Sequence, residues 1–175
     1  MTTDDLKALV RDVPDFPTEG IVFKDLMPLI GNAEAFRSTI EHLAEWSRPR
    51  HPEVILGAEA RGFIFGGALA YELGCGFVPA RKPGKLPWEK VRATYDLEYG
   101  SDSLEIHADA LAPGSRVIVL DDVLATGGTA RAKIELVERL GGEVVGLAFL
   151  VELAFLGGRS HFPGREVFSV VTYSR

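Results

Sequence analysis

The sequence predicts an α/β protein with a doubly wound, mainly parallel sheet and a flexible hairpin flap. Two observations carry this. Five short apolar runs, at residues 53–56, 77–80, 116–120, 144–151 and 167–173, are several of them near-continuous rather than alternating, as strands covered on both faces are. Between them, apolar residues recur at helical spacing over 63–73 and 130–140, which supplies crossovers for a parallel sheet. The chain has 175 residues, 46% of them hydrophobic and 25% charged, enough for one well-filled core. It holds no internal repeat, low-complexity tract or linker, so a single domain over 1–175 is expected, including a flap at about 81–107.

In chain order, Asp4 or Asp5 can cap a short helix carrying Leu6, Leu9, Val10 and Val13, which ends before Pro14 because the residue preceding proline disfavours the helical region. A loop follows. From Asn32, Phe36, Ile40, Leu43 and Ala44 recur at helical spacing up to Trp46, and the segment closes at Ser47-Arg48-Pro49. The run at 53–56 reads as a buried strand that delivers Ala58-Glu59-Ala60-Arg61-Gly62 at its carboxyl end, where open α/β sheets place ligands. Residues 94–99 and 104–107 alternate around Gly100-Ser101-Asp102 and predict a solvent-facing hairpin.

Composition excludes several functions. A formal charge of -6 argues against a nucleic-acid partner, because phosphate backbones demand Lys and Arg in surplus. Met1-Thr2-Thr3-Asp4-Asp5 is polar and acidic, so neither a signal nor a transit peptide is expected, and no run reaches the length of a membrane helix. The one cysteine, Cys75, sits in an apolar run and reads as a buried small hydrophobe. It allows no internal disulfide, which suits a reducing compartment, and a cytoplasmic location is expected. His42, His51, His107 and His161 are scattered without zinc-site spacing. No serine stands in a Gly-x-Ser-x-Gly setting.

The strongest chemical signal is Val117-Ile118-Val119-Leu120-Asp121-Asp122-Val123-Leu124-Ala125-Thr126-Gly127-Gly128-Thr129, followed by a helical pattern. Ala125, Thr126, Gly127, Gly128 and Thr129 offer two glycines, which let backbone N–H groups converge, and two hydroxyls at a helix start whose dipole favours anions. No Lys-Ser or Lys-Thr follows the glycines, so this is not a Walker A loop. Asp121 and Asp122, just before a phosphate cradle, suit the hydroxyls of a sugar phosphate, bound directly or through a Mg²⁺ ion that also holds a diphosphate. An acidic turn before an ordinary helix start is the competing reading.

These thirteen residues resemble the 5-phosphoribosyl-1-diphosphate (PRPP) motif of type I phosphoribosyltransferases. Pro14-Asp15-Phe16-Pro17, Gly20-Ile21-Val22-Phe23-Lys24-Asp25, Ala60-Arg61-Gly62-Phe63, Arg81-Lys82-Pro83-Gly84-Lys85-Leu86-Pro87 and Leu97-Glu98-Tyr99-Gly100 are similar to the adenine phosphoribosyltransferase family, in that family's order. The resemblance covers about residues 14–152; Gly157-Gly158-Arg159 is less diagnostic, and Met27 departs from the small hydroxyl residue of the family pattern. It implies a transfer of ribose phosphate from PRPP to adenine, with Mg²⁺ as cofactor and a homodimer as the assembly.

The resemblance also implies residue roles. The Glu59-Ala60 turn, often cis in the family, and the Arg61 cation would grip diphosphate. Arg81, Lys82 and Lys85 would join them, although taken alone a solvated loop explains that basic run equally well. Val22 and Lys24 match positions whose backbone reads the adenine edge, and Phe23 lies in the same loop. In 6-oxopurine relatives an aspartate faces purine N7 where this chain has Ala125, so another group must manage the base proton. Glu98 is the candidate, with Tyr99 helping to close the flap; Asp96 and Glu105 are nearby rivals. Direct metal ligands are not expected, beyond Asp121 and Asp122 through water. Two other functions compete: a phosphoribosyltransferase for another base such as xanthine, and a PRPP or nucleotide sensor without catalysis, against which the missing basic extension counts.

Overall fold

The computed structural model describes residues 1–96 and 101–174. Helix α1 (Thr3–Ala8) is capped by Thr2, whose hydroxyl accepts from the Asp5 N–H at 3.2 Å while the Asp5 carboxylate accepts from the Thr2 N–H at 2.8 Å. The cap is therefore not Asp4 or Asp5, and the helix is shorter than its apolar spacing predicts. Val13 belongs instead to strand β1 (Arg11–Pro14), antiparallel to β2 (Val22–Asp25). The loop between them is held by the Asp15 carboxylate, which accepts from the Gly20 N–H at 2.8 Å. A short helix α2 (Met27–Ile30) precedes α3 (Ala33–Ser47), which starts where predicted, with the Asn32 side chain accepting from the Ala35 N–H at 3.0 Å.

The remaining elements are β3 (Val54–Ala58), α4 (Arg61–Leu73), β4 (Gly76–Ala80), the antiparallel pair β5 (Lys90–Asp96) and β6 (Ser101–His107), β7 (Arg116–Leu124), α5 (Gly128–Arg139), β8 (Glu143–Leu153) and β9 (Val167–Tyr173). All five predicted core strands form one parallel sheet in the order β4-β3-β7-β8-β9.

The near-continuous apolar runs have a direct structural cause. Along β3, Ile55 enters the core with α3 and α4 while Leu56 enters the core with α5; along β7, Ile118 and Leu120 face the first, Val117 and Val119 the second. A strand with cores on both faces has no polar face to alternate with.

The hairpin differs from its prediction in two ways. Ala93, Leu104 and Ile106 are each at most 1% exposed and pack in the α5 core, so one face of the hairpin is interior rather than solvent-facing. Tyr95 pairs with Asp102 and Asp96 with Ser101, which places Ser101 and Asp102 in the strand rather than in a turn. Cys75 is half-buried beside the α3–α4 core, and burial pushes its thiol pKa up. Among the described residues no helix is long and apolar enough to cross a membrane.

Candidate active site

The chain runs from β3 outward to β4, then returns to the other side of β3 and runs outward again through β7, β8 and β9. The switch point lies between β3 and β7, and crevices of open α/β sheets form outside the carboxyl ends of such a pair. Those ends carry the two motifs singled out above. The Glu59-Ala60 peptide is cis, as the resemblance implies. A Cβ at Gly62 would stand 3.0 Å from Asp121 Oδ1, so a glycine is what lets the start of α4 approach the acidic strand this closely.

The helices divide by their caps. Among the described residues, α1 and α3 carry side-chain caps, whereas the four-residue α2 and the two longer helices that start at the crevice, α4 and α5, have none. The first N–H groups and dipoles of α4 and α5 remain open to an anion. Gly127, with φ of 88°, turns the chain into α5 in a conformation other residues rarely adopt. Asp121 and residues 123–130 enclose, with Phe149, a cavity of ≈ 60 Å³, room for a group a few atoms across. A larger cleft of ≈ 370 Å³ between Thr94, Tyr95 and the outer face of α5 shares only Gly128 with this cradle.

The two acids have different surroundings. Asp121 is 8% exposed; its Oδ2 accepts from Lys133 Nζ at 2.6 Å and its Oδ1 from the Asp122 N–H at 3.0 Å. Asp122 Oδ1 accepts from the Val123 N–H at 2.9 Å, but its Oδ2 has no aligned hydrogen-bond donor among the described residues, although Arg61 forms an ion pair with it. Burial, and then the charge of Asp121, push the Asp122 pKa up to about 6, against the opposing pull of Arg61. The Arg61 guanidinium also lies 4.9 Å from the centre of the Phe23 ring. Among the described residues, Asp122 Oδ2 is thus held by Arg61 alone and becomes available to a ligand only when Arg61 moves away.

Arg81, Lys82 and Lys85 converge on the side chain of Glu59, the residue whose peptide bond to Ala60 is cis. The Glu59 carboxylate accepts from Arg81 Nε at 3.1 Å, the Lys82 N–H at 2.6 Å and Lys85 Nζ at 3.2 Å. Burial would raise its pKa, but the Lys82 amide, Arg81 and Lys85 outweigh that and hold it below the usual carboxylate range. Lys82 Nζ also pairs with Asp102 and lies 3.2 Å from the Tyr95 hydroxyl, which ties the basic loop to the hairpin. Glu105, one of the rivals to Glu98, is already engaged: it is 1% exposed and accepts from Arg92 Nε at 2.9 Å, Arg92 Nη2 at 2.6 Å and the Gly84 N–H at 3.1 Å. Burial opposes these bonds, which together keep its pKa low.

Val22 and Lys24 lie on β2, and the alternation of the strand separates them from Phe23. The Lys24 ammonium bonds Asp12 Oδ1 at 2.6 Å and stands 4.1 Å from the centre of the Tyr173 ring, while Phe23 stands over Arg61. Glu98 and Tyr99 lie outside the described residues. Lys133 was not singled out from the sequence, yet a signal was there: it falls three residues after Ala130 and four before Val137, on the apolar face of α5.

Comparison with known proteins adds an independent view of the same residues. The family model of the phosphoribosyl transferase domain matches residues 30–171. An adenine phosphoribosyltransferase from Acidobacterium capsulatum is 58% identical over 169 residues, covering 97% of this chain and 93% of the relative. The crystal structure of adenine phosphoribosyltransferase from Thermoanaerobacter pseudethanolicus superposes with a TM-score of 0.96 at 51% identity, covering 98% of this chain and 100% of that one. That of the Saccharomyces cerevisiae enzyme, complexed with an imino-altritol bisphosphate and adenine, has a TM-score of 0.90 at 45% identity, covering 96% of this chain and 97% of that one.

Proposed function

We infer the reaction from the adenine phosphoribosyltransferase family, to which this chain belongs: it transfers the 5-phosphoribosyl group of PRPP to adenine, forming AMP and diphosphate in purine salvage. The observation that carries this reading is near-full-length similarity to adenine enzymes combined with Ala125 in the phosphate loop, where a 6-oxopurine enzyme would place a carboxylate.

The roles we propose follow the geometry of the crevice. Ala125, Thr126, Gly127, Gly128 and Thr129 hold the 5-phosphate at the uncapped start of α5. Asp122 accepts a ribose hydroxyl through Oδ2 once Arg61 releases it, and Asp121, neutralised by Lys133, keeps the strand end in place and takes the second. Arg61, Arg81, Lys82 and Lys85 take the diphosphate, Arg61 exchanging Asp122 for it and the loop cations sharing it with Glu59. Val22 and Lys24 present backbone groups to the adenine edge, while the Lys24 side chain is engaged by Asp12 and the Tyr173 ring.

In the reaction, adenine N9 bonds to ribose C1 as the C1–oxygen bond breaks and its electron pair leaves with diphosphate. Glu98 manages the proton at N7, and Tyr99 closes the flap so that water does not reach the oxocarbenium-like centre. Catalysis then rests on positioning and charge stabilisation. When bound, Mg²⁺ would supply charge neutralisation for the leaving diphosphate. Among the described residues no three His, Cys, Asp or Glu side chains form a metal-holding group; the protein's share in holding the ion would be Asp121 and Asp122, through water. We also propose that residues 1–175 act as one catalytic domain, that the enzyme is a cytoplasmic homodimer, and that its partners are small molecules.

Competition assays with adenine, hypoxanthine, guanine and xanthine test the base assignment. Preference for an oxopurine would overturn it. Glu98→Gln tests the proton role: turnover is expected to fall while PRPP binding remains, and unchanged turnover would move that role elsewhere.

A further inference from the structure

The segment after β8 packs against the back of the phosphate cradle. A Cβ at Gly158 would overlap the Ala125 carbonyl oxygen and approach Leu124 Cδ1 to 3.1 Å. In return, a Cβ at Gly127 would meet the Gly158 carbonyl oxygen at 3.1 Å and the Phe162 ring at 3.2 Å. Phe162 is itself 4% exposed. The segment therefore approaches the cradle backbone closely on this side, and a shift of Gly158 or Phe162 toward it would press on Ala125 and Gly127.

An ionic fork holds that segment, with Glu152 buried and the Arg159 side chain 48% exposed. Arg159 Nε donates to Glu152 Oε1 at 2.9 Å and Nη2 to Oε2 at 2.5 Å, while Nη1 donates to the Val167 carbonyl oxygen at 2.7 Å. The Ser169 hydroxyl donates to Glu152 Oε2 at 2.8 Å, so both carboxylate oxygens are used. Glu152 is 4% exposed and lies opposite Leu124 in the β7–β8 ladder, one residue from the start of the cradle. Two parallel N–H···O bonds fix orientation as well as distance, which a lysine cannot reproduce.

We infer that Glu152 and Arg159 are positioning residues for the 5-phosphate: their fork seats Gly158 and Phe162 against Ala125 and Gly127 and so sets the spacing of the cradle N–H groups. The inference rests on the reading of residues 125–129 as the 5-phosphate site. The 5-phosphate is held alike in the ground and transition states, so a loosened fork removes uniform binding and should be read in affinity for a 5-phosphate and in KM rather than in kcat.

Calorimetric titration with ribose 5-phosphate and, separately, with inorganic diphosphate tests this, because the two anions report different ends of the crevice. The proteins are the wild type, Glu152→Gln, Arg159→Lys and the cradle double variant Thr126→Val with Thr129→Val, each with its melting temperature. The double variant should bind ribose 5-phosphate at least ~10-fold more weakly, with diphosphate unchanged; wild-type affinity would overturn the cradle reading itself. Given a sensitive cradle, Glu152→Gln and Arg159→Lys should each weaken ribose 5-phosphate about tenfold and raise the KM for PRPP, with diphosphate affinity and kcat within about twofold. Wild-type affinity in both fork variants would overturn the positioning role. So would equal losses for both anions in step with a lower melting temperature, which would make the fork a stability element only. Arg159→Lys keeps the charge, so the test survives if Glu152→Gln does not fold.

Discussion

Lys133 Nζ lies 2.6 Å from Asp121 Oδ2 and 2.8 Å from the Leu120 carbonyl oxygen, and the lysine side chain has no exposure to solvent. A helix and the strand it packs on are thus joined by a charge pair at Asp121, beside the proposed ribose subsite. Replacing one partner leaves the other charge buried alone, a change that costs about 3–5 kcal/mol in comparable cases. Lys133→Met should therefore lower the unfolding free energy by about 3 kcal/mol in urea titrations. Adding Asp121→Asn should restore part of that loss. A single variant within about 0.5 kcal/mol of the wild type would show that the pair is not buried as described.

The raised pKa of Asp122 sets a pH dependence. Burial and the neighbouring Asp121 charge make the folded protein hold this proton up to about pH 6, against an ordinary value of 3.8. A group whose pKa rises on folding adds stability that is fully present below its unfolded pKa and lost as pH rises through its folded one. Asp122→Asn should therefore stabilise the ligand-free protein on the order of 2 kcal/mol at pH 8, with the gain vanishing below about pH 4. Melting curves across that range check it. In the active enzyme the same titration should raise the KM for PRPP as pH falls below about 6, and the variant should lack that step.

Glu59 gathers Arg81, Lys82 and Lys85 through one carboxylate. Glu59→Ala frees the basic loop without removing any of its charges. The expected result is a rise of about tenfold in the KM for PRPP, the equivalent of one charged hydrogen bond, with the KM for adenine little changed. Equal changes in both would mean that Glu59 acts on the whole crevice.

Lys82 is divided between the diphosphate loop and the hairpin, through Asp102 and the Tyr95 hydroxyl. The Lys82 and Asp102 side chains are 39% and 29% exposed, so this pair contributes no more than about 1 kcal/mol. Asp102→Asn should release Lys82 and tighten diphosphate binding by up to about fivefold. Weaker binding would indicate that Asp102 holds Lys82 in its working position.

The parts of the molecule that were legible in the sequence are those with strong periodicity or fixed chemistry. Ile55, Leu56 and residues 117–120 could only be a strand covered twice, and Asn32 marked a helix start that the structure keeps. The β1–β2 pair was not legible, because four-residue strands with exposed positions at Arg11, Asp12 and Val22 carry no pattern, and Val13 fell at helical spacing from Leu6 and Val10. The alternation in the hairpin predicts a solvent-facing pair, whereas Ala93, Leu104 and Ile106 on its other face meet α5. Lys133 and Glu152 were missed for a different reason. A charged residue looks solvated until its partner is known, and their partners are 12 and 7 residues away, on other elements of the fold.

The central claim, adenine-specific phosphoribosyl transfer in this crevice, is tested most directly by measuring AMP formation from adenine and PRPP with and without Mg²⁺, alongside the same assay with hypoxanthine. Metal-dependent AMP formation with no product from hypoxanthine is the predicted result. Nucleotide formed from hypoxanthine in preference to adenine, or no turnover of either base, would contradict it.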